Sequence, residues 1–133
     1  MKIKKFISIV FLSIFMILPT SAMAASYAYN FEFRNYLQSN LYDLYPSIIT
    51  NYKITMTNNS SASGTGTSAI YYVDLYRANS LGVGVYMGVQ QFDRNGTVTK
   101  SWIISDKKGG RWGFTMRKND DGQYVKGFGQ IKD

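Results

Sequence analysis

The residue pattern predicts an all-β domain: an antiparallel β-sandwich or small β-barrel of about seven strands, with one short helix near residues 36–45. Two observations carry most of that expectation. Apolar and aromatic side chains alternate with polar ones in stretch after stretch, the period of two that turns one face of a strand toward a core. Turn-forming clusters, Asp93-Arg94-Asn95-Gly96, Asp106-Lys107-Lys108-Gly109-Gly110 and Asn119-Asp120-Asp121-Gly122, separate the later stretches at nearly even spacing.

Taken in chain order, the first element is an export leader. Lys2, Lys4 and Lys5 precede an apolar run over residues 6–18, and Ala22-Met23-Ala24 supplies the small residues behind which a signal peptidase cuts. That run, interrupted by Ser8 and Ser13, is shorter than the roughly 20 apolar residues that span a bilayer. The expectation is a signal peptide over 1–24 and one secreted domain over 25–133. Its 109 residues suffice for a single core, and its formal charge is +4 against +7 for the whole chain.

In the domain, Tyr27, Tyr29, Phe31 and Phe33 share one side of a strand. Leu37, Leu41, Leu44 and Tyr45 then recur at spacings of three and four between Asn35, placed as an N-cap, and Pro46, which predicts the short helix. Alternation returns over 48–57, with Tyr52, Ile54 and Met56 on one face, and the run rich in Asn, Ser, Gly and Thr over 58–68 reads as a loop. Over 69–77, Tyr71, Val73 and Leu75 form an apolar face and Tyr72, Asp74 and Tyr76 the opposite one. Over 83–92, Val83, Val85, Met87 and Val89 are assigned to the core, and Gly84 and Gly88 mark a barrel corner or, as the alternative, the floor of a shallow groove. Strands over 97–105, 111–118 and 123–131 complete an antiparallel meander, with Val98, Trp102, Ile104, Trp112, Phe114 and Met116 extending the core.

Two absences bound the chemistry. The chain has no cysteine and no histidine, so Ser-His-Asp and Cys-His catalysis, disulfide stapling and zinc sites built from sulfur and imidazole are all excluded. A bacterial exported protein stabilised by packing fits that composition. A hydrolase would have to work with two carboxylates, and Glu32 and Asp74 are the acids expected within strands. The remaining acids sit mainly in turns, where Asp caps the backbone. The 119–122 turn resembles a calcium loop superficially, but Phe128 stands where an EF-hand needs Glu, and no GxxxxGK[ST] occurs. No cofactor, no metal and no nucleic acid are expected.

What remains is binding. With the leader excluded, 18 of 109 residues are aromatic, and tyrosine dominates. Tyr72, Asp74, Tyr76, Tyr86 and Trp112 are the ligand-binding candidates, because aromatic faces interleaved with an acid can stack on sugar rings and accept their hydroxyls. The plainer explanation is that tyrosine covers a sheet face well, with Asp74 paired to Arg34 or Arg77. Lys107, Lys108 and Arg111, beside Trp112, are candidates for contact with an anionic surface, against the reading that lysine-rich turns keep sheet edges soluble. The expected function is a secreted, non-enzymatic binding module for a cell-wall polymer, polysaccharide or other extracellular polymer. The rivals are a bacteriocin or small toxin acting on an anionic membrane surface, and an inhibitor of an extracellular hydrolase.

Overall fold

The structure is a computed structural model that describes residues 24–62, 70–81 and 84–133. Apart from Ala24, the expected signal peptide lies outside the described residues. Nine strands are formed among the described residues: β1 (Ser26–Phe33), β2 (Tyr36–Gln38), β3 (Tyr42–Leu44), β4 (Lys53–Ala62), β5 (Ile70–Ala78), β6 (Gly84–Asp93), β7 (Gly96–Ile103), β8 (Gly110–Arg117) and β9 (Val125–Lys132). They make two antiparallel sheets packed face to face. One runs β1-β9-β4-β7; the other runs β2-β8-β5-β6, with β3 also paired to β8. The all-β, sandwich-like architecture expected from the alternation is therefore present.

Four expectations need correction. Residues 36–45 form no helix but two short strands that share one sheet position, Tyr36–Gln38 opposite Arg117–Thr115 and Tyr42–Leu44 opposite Trp112–Gly110. The edge of β8 claims their backbone hydrogen bonds, and between them the Ser39 N–H donates to the Phe114 carbonyl at 2.9 Å. Leu44 is buried while Leu41 is half exposed, so the helical spacing was not one buried stripe.

The connections are not a meander either. Among the described residues, β5 and β6 are the only consecutive strands paired with each other; the turns at 93–96, 106–110 and 119–122 each carry the chain from one sheet to the other. With β2 and β3 counted as one, eight strand positions divide between two four-wide sheets and every connection except β5–β6 crosses from one sheet to the other, which is jelly-roll topology. A turn sequence specifies a reversal of direction, not which sheet receives the returning strand.

Third, the strand expected over 48–57 is displaced: Ile48–Thr50 form a 3-10 turn, and β4 starts at Lys53 and runs on to Ala62, so residues 58–62 of the expected loop are strand, and 63–68 lie outside the described residues. Asn58 and Ser60 point into the core, where Tyr71 satisfies them. Fourth, the core face of β6 changes parity. Leu75 pairs with Gly88 but Tyr76 pairs with Tyr86, leaving Met87 as an extra residue, and Gly88 takes φ +116°. This bulge turns Gly88 and Phe92 inward, leaving Val89 exposed; Val85, at the sheet edge, is exposed too, and Val83 lies outside the described residues. A bulge, rather than a barrel corner, explains the glycine.

Between the sheets lie Phe31, Phe33, Leu44, Ile54, Met56, Tyr71, Val73, Leu75, Phe92, Trp102, Ile104, Trp112, Phe114, Met116, Val125 and Ile131. Each large side chain buried in this way contributes about 1.5–3 kcal/mol of transfer free energy.

Candidate ligand-binding face

The outer surface of the β2-β8-β5-β6 sheet is built in cross-strand rows. Tyr36, Arg117, Tyr72 and Gln91 occupy one row; Gln38, Thr115, Asp74 and Val89 the next; Gly113, Tyr76 and Tyr86 the third. Strand alternation sends these side chains outward because Tyr71, Val73, Leu75, Phe114 and Met116 are committed to the core. Four tyrosines thus surround a polar centre.

That centre is an ion pair. Arg117 Nε donates to Asp74 Oδ2 at 2.7 Å, and the Thr115 hydroxyl donates to the same oxygen at 3.3 Å. The Asp74 side chain is nearly buried while Arg117 stays half exposed, its guanidinium 4.8 Å from the centre of the Tyr72 ring. The carboxylate beside it holds the Arg117 pKa above its ordinary value. Tyr76 and Tyr86 meet at 5.5 Å between ring centres. Desolvation first, then the charges of Asp74 and the neighbouring phenols, raise the Tyr76 pKa, so its hydroxyl stays a neutral donor at neutral pH.

A groove of about 360 Å³ follows the third row, walled by Tyr36, Leu41 and Tyr76 and floored by Gly113 and Thr115. A Cβ on Gly113 would stand 3.0 Å from the Leu41 side chain, so the floor depends on the missing methyl group. Rings with free faces next to hydroxyl, amide, carboxylate and guanidinium groups suit a polyhydroxylated ligand.

Of the sequence candidates, Tyr72, Asp74, Tyr76 and Tyr86 converge on this face. Trp112 does not. It is fully buried on the opposite side of β8, its Nε1–H donating to the Leu44 carbonyl at 3.0 Å, and the Arg77 guanidinium covers its ring at 5.3 Å. Asp74 pairs with neither Arg34 nor Arg77, which bind Asp120 and Asp106 respectively. Glu32 and Asp74 lie on different sheets, Glu32 on β1 and Asp74 on β5, so the strand acids do not share a sheet face. Lys107 and Lys108 sit at the β7–β8 turn, and Arg111 lies opposite Asp43 of β3. Sequence reasoning missed Tyr36, Gln38 and Arg117. The first two were hidden by the expected helix; Arg117 was readable from the alternation in 111–117, which puts it on the face opposite Met116.

No protein-family model matches the chain, and no curated protein matches it. Among solved structures, a chain from Bacillus endospore appendages, described as a novel family of disulfide-linked pili, is similar at 9% identity and a TM-score of 0.34, covering 86% of this chain and 93% of that one.

Proposed function

We propose that the protein is an exported, non-enzymatic binding module whose tyrosine-lined outer face holds a polysaccharide or other polymer of the cell envelope. The observation that carries this reading is the ring of Tyr36, Tyr72, Tyr76 and Tyr86 around the Asp74–Arg117 pair, with an open groove beside it. Stacked rings recognise the C–H faces of sugars, and the central pair both accepts and donates hydrogen bonds. Asp74 is engaged by Arg117 and Thr115, an arrangement suited to orienting hydroxyls rather than to moving protons.

The test is retention on immobilised peptidoglycan, teichoic acid and common polysaccharides at low salt. Tyr72→Ala with Tyr76→Ala is expected to weaken retention about tenfold, since each lost aromatic contact is worth about 0.5–1.5 kcal/mol. Trp112→Phe serves as a control: it removes a buried hydrogen bond, at about 1–3 kcal/mol of stability, yet should leave retention unchanged. Failure of the unaltered protein to bind any of these polymers overturns the proposal, as does glycan hydrolysis that Glu32→Gln abolishes in a folded protein.

A further inference from the structure

We infer that one end of the sandwich, formed by residues 45–53 and 103–109, docks on an anionic lipid surface. Four large apolar side chains are largely exposed there among the described residues: Tyr45 (65% exposed), Ile48 (75%), Ile49 (79%) and Ile103 (69%). The backbone gathers them. Ile48 and Ile49 form a 3-10 turn that closes on the left-handed pair Asn51 and Tyr52, each at φ 52°. Tyr52 accepts the Ile104 N–H at 2.8 Å, and Lys53 lies opposite Ile103. Tyr45 packs so tightly on Gly109 that any side chain at 109 would collide with its ring. Lys107, also left-handed at φ 57°, holds its ammonium 5.0 Å from the centre of the Tyr52 ring.

Asn51, Tyr52 and Lys107 are the only non-glycine residues with positive φ among the described residues, and all three belong to this end. Backbone strain gathered where apolar side chains are pushed into solvent is characteristic of a contact site.

Charge decides which contact. Lys53, Lys107 and Lys108 make no salt bridge among the described residues, whereas the nearby acids are engaged: Asp106 pairs with Arg77, and the Asp133 carboxylate accepts the backbone N–H groups of Ala25 and Tyr45. A second copy of the chain would bring lysine against lysine. A soluble polyanion would satisfy the lysines and leave the isoleucines in water. A surface of anionic headgroups over acyl chains answers both. This end is separate from the tyrosine face.

The experiment compares full-length chains, so that the apolar run of residues 6–18 contributes equally to each, on vesicles of phosphatidylcholine with and without phosphatidylglycerol. Ile48→Asn with Ile49→Asn is expected to reduce partitioning onto the anionic vesicles about tenfold or more, and Lys107→Glu with Lys108→Glu comparably. Unaltered binding should weaken as salt rises. In a separate variant, Ile49→Trp, tryptophan emission should shift to the blue on anionic vesicles only. Tyr72→Ala with Tyr76→Ala should leave all of this unchanged, which separates the inference from the polymer reading. Equal partitioning of the unaltered chain and the isoleucine variant overturns it, as does an Ile49→Trp variant whose emission stays fixed. Isoleucine-dependent self-association without vesicles would assign the surface to a second copy, and retention on a soluble polyanion that needs the lysines but not the isoleucines would assign it to a polymer; either overturns it too.

Discussion

Tyr71 ties the two sheets together with hydrogen bonds as well as with its ring. Its hydroxyl accepts from Asn58 Nδ2 at 3.1 Å and bonds Ser60 Oγ at 2.8 Å, and Asn58 Oδ1 in turn accepts from the Tyr29 hydroxyl. Burial raises the pKa of both phenols, so the network stays uncharged. Tyr71→Phe strands two buried polar groups and is expected to cost about 1–3 kcal/mol, read from the urea midpoint. A second buried cluster is ionic: Asp121 accepts from Lys118 Nζ at 2.9 Å and from Arg94 at 2.6 Å. Those two bonds, Lys118 first, hold the Asp121 carboxyl well below its ordinary range, and the hydrogen bond from Arg77 holds Asp106 down to about 2. A carboxylate whose folded pKa is depressed stabilises fully above its unfolded pKa and loses that contribution as pH falls toward the folded value. Urea midpoints should therefore stay level from pH 7 to about 5 and drop below about 4. Asp121→Asn should lower the midpoint at pH 7 and flatten that acid slope. None of these partnerships was readable from spacing, because Asp121 and Lys118 both looked like ordinary turn and strand-end charges.

At the scale of elements, β9 is the strand on which β1 and β4 both depend. Its Gly127 and Gly129 let the neighbouring strands close in. A Cβ at 127 would strike the Asn59 carbonyl oxygen and lie 2.9 Å from Phe31 Cζ, and one at 129 would strike Asn58 Oδ1 and lie 2.6 Å from the Tyr29 ring. Gly127→Ala is expected to cost about 3 kcal/mol, with a matching fall in Tm, since β4 backbone cannot move aside without breaking its pairing. The alternation in 123–131 predicted this strand, but the reason for its glycines lies in the partner strand. β6 teaches the same lesson differently. Its alternation is regular on paper, yet one extra residue at Met87 shifts the parity and exposes Val89, a consequence of pairing with β5 that no count along β6 contains.

Across the whole molecule, polar and apolar alternation determined that the chain would be strands around a shared core, since a period of two admits no other regular element. Composition determined what chemistry is missing: without histidine or cysteine, the surface can offer only phenols, amides, hydroxyls, carboxylates and cations. The same alternation placed Tyr72, Asp74 and Tyr76 on one face. Tertiary structure decided the rest, because a sheet is assembled from strands distant in sequence. Asp74 of β5 meets Arg117 of β8, Tyr36 of β2 joins the face through β8, and Trp112, placed in the core by its own strand's alternation, finds there the Leu44 carbonyl for its indole N–H. The sheet that receives each strand is settled by which neighbour satisfies its hydrogen bonds and buries its apolar side, and neither is a property of the strand alone.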